Sequence, residues 1–288
     1  MNLDRLGRRW EKSLARQQST SLSRLIDPRV QSNVTALGIA AAAGMAALAV
    51  RLLDDTGILE SLTDAFGAGV AVFLAWALGR ELDPDNNSSA LVAELGVFAL
   101  RFWLPSSPGL LLATVIAARL MVRSTGRPPS RGDLIFVVLL GTYVATQEAG
   151  PAATVGLAAT VVVSRSLGGG DHPRSLIAAL ATLVAGGTAA AITESIGHWY
   201  DLDLATAAVL GAGVLSLPFL GVPLVRSRAD YTGEPLDARR VRIARWFTAV
   251  IALGGFAIAG GLGVSRMAGA WAALVAVAVT KIVRTARR

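Results

Sequence analysis

Ten apolar runs separated by short polar breaks organise the chain: 34–53, 65–79, 89–104, 108–123, 133–148, 151–165, 175–197, 204–225, 243–264 and 267–284. Each predicts a membrane-spanning helix. Crossing a ~30 Å hydrocarbon core takes about 17 residues or more, so the six short middle runs lie near the minimum, and some fit re-entrant hairpins instead. Ahead of the first run, Leu3, Leu6, Trp10 and Leu14 recur at helical spacing among Arg5, Arg8, Arg9, Lys12 and Arg16. That pattern predicts an amphipathic helix on an anionic membrane surface, with a mobile basic tail as the alternative. Asp27-Pro28 breaks any continuous helix there. The expected organisation is a basic cytoplasmic segment over 1–33, a transmembrane helical domain over 34–284 and a basic tail over 285–288.

Charge placement gives the runs a direction. If ten spans start from the inside, the inner segments are 1–33, 80–88, 119–133, 164–175, 224–246 and 281–288. Of the 27 Lys and Arg, all but Arg51, Arg101 and Arg266 then fall inside, as the positive-inside rule demands. The outer loops are acidic, with Asp54, Asp55, Glu60 and Asp64 in one of them. Trp76 and Trp246 fall near inner helix ends, and Trp103, Trp199 and Trp271 near outer ones, where indoles favour the interface. No secretory signal is visible, because the first apolar run begins near Val34.

Composition agrees with this reading. Only 16% of the 288 residues are charged, against about 25% in soluble domains, and mean hydropathy is +0.55. The net charge of +7 is spread over short turns and forms no soluble basic module, which argues against nucleic acid as a partner and for anionic lipids along the Arg-rich inner loops. There is no cysteine, so thiolate metal sites and disulfides are excluded. Arg greatly outnumbers Lys, with only Lys12 and Lys281, as in chains from GC-rich bacterial genomes; the expected location is a bacterial cytoplasmic membrane, both termini inside.

Three inner turns align on Arg80, Arg123 and Arg165, each followed at the same distance by Leu91-Val92, Leu134-Ile135 and Leu176-Ile177. The alignment predicts tandem helical hairpins. In each copy the arginine faces unsatisfied helix C-terminal carbonyls, and Ser88 or Ser89, Asp133 and Ser175 are the expected N-caps. A further stretch from Tyr231 echoes the Thr-Gly-x-Pro of the second copy.

The first of these turns, "RELDPD" from Arg80, raises the question of chemistry. Glu81, Asp83 and Asp85 beside arginines are the oxygen ligands and cations that a magnesium–diphosphate site uses. Over these six residues the stretch is similar to the first Asp-rich region of UbiA-type prenyltransferases, which implies Mg2+ and a prenyl diphosphate held by Asp83, Asp85, Asp171, Arg123 and Arg127. The acids here fall at intervals of two, where that family has three or four, and the later loop offers only Asp171. In the other two copies of the turn, Gly126, Pro128, Gly168 and Gly170 stand where Asp83 and Asp85 do, so a simple polar turn also accounts for it.

Ionisable groups inside spans need a partner or a role. Glu94 and Arg119 lie at similar distances from the inner ends of successive antiparallel runs, and a rise of about 1.5 Å per residue brings them to one depth; an ion pair between them is expected. Arg101, on roughly the face of Glu94 but near the outer boundary, is expected to snorkel outward. Gln147 and Glu148 stand where one short run stops and the next begins, an arrangement transporters use for binding and ordinary turns share. Glu194 and His198, at i and i+4, fit an outer interface anchor beside Trp199 and Tyr200; with His172 on the other side they make no closed metal site. No Gly-x-Ser-x-Gly, Walker loop or His-Glu-x-x-His occurs. The glycines of 254–263 suit close helix packing.

These features favour a permease- or carrier-like protein for a small solute or ion, without a resident cofactor. The alternatives are a lipid or prenyl-diphosphate enzyme at the cytoplasmic face and a non-catalytic scaffold presenting the basic 226–245 loop.

Overall fold

The computed structural model of the protein describes residues 20–24, 26–27, 29–54, 57–168, 172–195, 199–222 and 224–287. The expected N-terminal amphipathic helix, Asp171 and His198 lie outside these residues. Ten α-helices are present among the described residues: α1 Gln31–Leu53, α2 Ile58–Leu82, α3 Asn87–Leu100, α4 Pro108–Val122, α5 Arg131–Ala145, α6 Gly150–Ser166, α7 His172–Ile192, α8 Leu204–Ser216, α9 Ala238–Arg266 and α10 Ala268–Ala286. A 3-10 turn, Leu217–Phe219, follows α8, and no strand forms among the described residues. Five helices, α1, α2, α7, α9 and α10, are long and apolar enough to cross a membrane. At about 1.5 Å per residue, α1 with its 23 residues is roughly 34 Å long and α3 with 14 roughly 21 Å.

Packing follows residue size. Ala36, Ala40, Ala43 and Ala47 form the buried stripe of α1, and it lies on Ala65, Ala68 and Val72 of α2. A Cβ on Gly44 would come within 3.0 Å of the Ala65 carbonyl oxygen, and one on Gly69 within 3.0 Å of that of Ala40, so the two backbones run in near contact, antiparallel, along a seam of small side chains. The opposite face of α1 exposes Val34, Leu37, Met45 and Val50, and α7 exposes Leu176, Ile177, Leu180 and Val184. Exposed apolar stripes of this length suit contact with lipid. Helix α4 is the most enclosed, burying Leu110, Leu111, Ile116, Leu120 and Met121 between α2, α6 and α9.

The segments expected inside meet at one end of the bundle. Arg240 donates to the carbonyls of Met121 (3.1 Å), Ser164 (3.3 Å), Leu167 (2.8 Å) and Gly168 (3.1 Å). It thereby satisfies the C-terminal carbonyls of α4 and α6. Arg245 does the same for Leu82 at the end of α2 (2.6 Å), and Lys281 bonds the Gly221 carbonyl (3.1 Å). Arg51, Arg101 and Arg266 lie at the other end, where Asp64 binds the first two.

Several local expectations need correction. Asn86 stands at the N-cap of α3 without a side-chain capping bond, while Ser89 turns its hydroxyl back onto the Asn86 carbonyl. Ser130 caps α5, and Asp133 is its capping-box partner at N3. Trp271 is fully buried and Trp76 nearly so, in the core and not at an interface, whereas Trp103, Trp199 and Trp246 are exposed. The 254–263 glycines do more than pack: Gly260 breaks α9 at φ 57°, ψ −133°, and the Tyr200 carbonyl accepts the freed Gly261 amide (2.8 Å).

Candidate functional site

On α2, Phe73, Trp76, Ala77, Arg80 and Glu81 recur at the helical period and so share one face. That face forms one wall of a cavity of 540 Å³ at the basic end. Val30 and Asn33 at the start of α1, Arg119 in the last turn of α4, and Asp230 and Tyr231 from the loop before α9 complete it, with Arg24, Ile26 and Asp27 across the top.

Those last three belong to a strap, described over residues 20–24 and 26–27 and pinned across four elements. Both the amide and the hydroxyl of Ser21 donate to Asp133 Oδ2 (2.9 and 3.0 Å), and the Thr20 hydroxyl donates to Oδ1. The Leu22 carbonyl accepts from Arg119 Nη1 (2.6 Å). The Ser21 carbonyl accepts from the Thr125 hydroxyl (3.3 Å) and that of Ser23 from the Tyr231 hydroxyl (3.4 Å).

Glu81 is the electrostatic centre. Its side chain is fully buried, and Oε1 accepts from Arg24 Nη1 (3.2 Å) and Arg119 Nε (3.1 Å). Arg24 also bridges to Asp230 at 2.5 Å. Burial works against the Arg24 charge, but the Glu81 and Asp230 carboxylates outweigh it and raise its pKa above the ordinary value. Arg80 is bound differently: it reaches only Asn33 Oδ1 (3.3 Å) and lies over the Trp76 ring, 5.2 Å from its centroid. Among the described residues no carboxylate stands within ion-pair distance of it.

The expected Glu94–Arg119 pair does not form. Arg119 points to Glu81, and Glu94, fully buried in α3, has no hydrogen-bond partner for either oxygen among the described residues. Glu81 is the carboxylate within reach of Arg119.

Asp83 and Asp85 go to separate partners. Asp83 meets Arg245 Nη2 at 3.3 Å; burial raises its pKa despite that cation. Asp85 accepts the amides of Arg226 (2.9 Å) and Ser227 (2.7 Å) and the Ser227 hydroxyl (2.6 Å). These contacts outweigh burial and lower its pKa. Both carboxylates are thus taken up by protein donors, and among the described residues, which do not include Asp171, no three His, Cys, Asp or Glu groups converge. Arg123 caps α4 in the left-handed region, φ 55°, its pKa lowered to about 10 by burial and by Arg240. Arg127 stacks on Tyr231 at 6.0 Å.

At the opposite end, a cavity of 1010 Å³ is lined by Arg51, Asp64, Arg101, Tyr143, Gln147 and Arg266 among others. Gln147 Oε1 accepts from Ser107 (2.5 Å), and Glu148 pairs with Arg266 at 3.8 Å. Arg101, expected to snorkel outward, does lie at this end, where it bonds Asp64 (2.5 Å) and lines the cavity. Glu194 is exposed at the end of α7, with φ 50°. Glu94 lines neither cavity. Arg24, Asn33, Asp230 and Tyr231 join the inner cavity from places that no sequence spacing connects; the helical period from Phe73 to Glu81 is the one signal that marks their meeting place.

Fold and site together define an all-helical protein with five helices long and apolar enough to cross a membrane and an arginine-lined cavity at each end. No family model, curated protein or solved structure matches the chain.

Proposed function

We propose that this chain is a carrier of the bacterial cytoplasmic membrane for a small anionic solute, with about ten spans and both termini on the cytoplasmic side. One observation carries the reading: the same helices, α1, α2 and α4, line arginine-bearing cavities at both ends, and a seam of small residues separates α1 from α2 between them. Small-residue interfaces let helices approach and shift as units, and alternating access works by such rigid-body motion. Arg24, Arg80 and Arg119 serve the inner cavity, and Arg51, Arg101 and Arg266 the outer. The gathering of inner arginines at one end supports the orientation.

The test is flux. Purified protein in liposomes, with a valinomycin-set potential, is assayed for uptake of radiolabelled chloride, sulfate, inorganic phosphate and small carboxylates. Saturable uptake of at least one, falling at least tenfold in Arg80→Ala and in Arg101→Ala, is expected. Absence of saturable uptake across the panel refutes the reading. Single cysteines at 127 and 239, both labelled from the cytoplasmic side in cells, check the topology.

A further inference from the structure

We infer that the inner cavity is a binding site for a phosphate group, with room beside it for the apolar chain of a phosphate ester. The inference rests on the carrier reading only in saying what that cavity receives; binding itself stands on the geometry.

Arg80 is the observation that demands a ligand. A half-buried guanidinium normally meets a carboxylate or a set of carbonyls, because removing its hydration is costly unless it is paired. Every other arginine of this cavity follows that rule, Arg24 and Arg119 through Glu81. Arg80 has one long bond to an amide oxygen and the face of an indole. Its planar fork, already oriented by Trp76, presents several N–H donors. Phosphate oxygens accept two such donors side by side.

The remaining wall says what the phosphate is attached to. Ile26, Val30, Phe73, Trp76 and Ala77 line the same cavity and offer an apolar surface; Val30 is itself exposed, as are Val34 and Leu37 on the outer face of α1. A volume of 540 Å³ falls in the range of roughly 300–1,000 Å³ that holds a drug-sized ligand. Arg80 lies in the last turn of α2, at the helix end, where basic side chains meet lipid phosphates. A phosphate ester on an apolar chain satisfies both walls at once, while free phosphate satisfies only the guanidinium.

The probes are decyl phosphate and inorganic phosphate, added to the purified full-length chain in dodecyl maltoside. Thermal midpoint is the readout, together with tryptophan emission compared between the wild type and Trp76→Phe, whose difference isolates Trp76 among the six tryptophans. Decyl phosphate is expected to stabilise the protein saturably, with apparent affinity at least tenfold weaker in Arg80→Ala and unchanged in Arg239→Ala, a basic residue outside the cavity. Stabilisation by inorganic phosphate at equal affinity, lost in the same variant, assigns the site to free phosphate and leaves the phosphate class standing. If Arg80→Ala does not fold, Asn33→Asp decides: a carboxylate beside Arg80 should neutralise it and weaken decyl phosphate by a similar factor. No saturable effect of either probe on the wild type, or equal effects in the cavity variants, overturns the inference. Binding without flux would refute the carrier alone, and flux without phosphate binding this site alone.

Discussion

Replacing Glu81 with glutamine keeps the shape of the side chain and removes the charge that joins strap, α2 and α4. In the wild type its Oε1 holds Arg24 and Arg119 at 3.2 and 3.1 Å from a fully buried position. Removing one partner of a buried pair costs about 3–5 kcal/mol, because the other charge stays behind. Both arginines are 17% exposed in their side chains and keep second acceptors, Asp230 and the Leu22 carbonyl. The loss therefore falls at the lower bound, about 3 kcal/mol. SDS-induced unfolding in mixed micelles measures it, for Glu81→Gln, Arg24→Gln and the double variant. The pair should show coupling of at least about 1 kcal/mol, since contacting residues depart from additivity. Trypsin cleavage after Arg24 should quicken in parallel as the strap loosens. A Glu81→Gln protein within about 0.5 kcal/mol of wild type, or single effects that simply add, would refute the view that this carboxylate organises the basic end.

The strap has a second latch: Asp133→Asn leaves one oxygen where two served Thr20, Ser21 and Ser130. It should speed proteolysis near Arg24 and cost about 1–2 kcal/mol, including the weakened capping box; unchanged proteolysis would count against the latch. Asp85 binds loop amides and its pKa is lowered in the fold, so its contribution is fully present above about pH 4, the unfolded value, and is lost as pH falls through the folded one. Hydrogen exchange of the Arg226 and Ser227 amides should rise below that pH, and in Asp85→Asn at neutral pH; protection that persists in Asp85→Asn speaks against the clamp. At Gly260 a Cβ would stand 2.1 Å from the Tyr200 carbonyl oxygen at φ +57°, so Gly260→Ala should destabilise by about 3 kcal/mol or more. Wild-type SDS stability in that variant would mean the break in α9 straightens at little cost.

Helix positions were legible because they depend on local hydropathy. Each of the ten apolar runs contains or overlaps one described helix, and Arg80, Arg123 and Arg165 do stand at helix C-termini. The pairings were not legible, because they depend on which helices become neighbours. Glu94 and Arg119 were matched on expected depth alone, and depth fixes only one of three coordinates. Trp271 and Trp76 occupied sequence positions typical of interfaces and are buried in the core. The cavity draws on the strap, α1, α2, α4 and the loop before α9, and no spacing rule connects Arg24 with Asp230.

The arginine bias also carried two meanings that sequence cannot separate. One is topology: cations stay on the inner side. The other is closure of helix ends, whose last carbonyls have no partner within the helix and find little water near hydrocarbon. Arg240 and Arg245 do the second for neighbouring helices, α4, α6 and α2. Arg24 and Arg119 neutralise Glu81. Once those partners are assigned, Arg80 is the cation of the inner cavity that forms no ion pair among the described residues: it meets an aromatic face and an amide oxygen, while the Glu81 and Asp230 carboxylates act on it only from beyond contact. A cation kept half-dry in this way is maintained at a cost to the fold, and the cavity beside it is where that cost is offset when an anion enters.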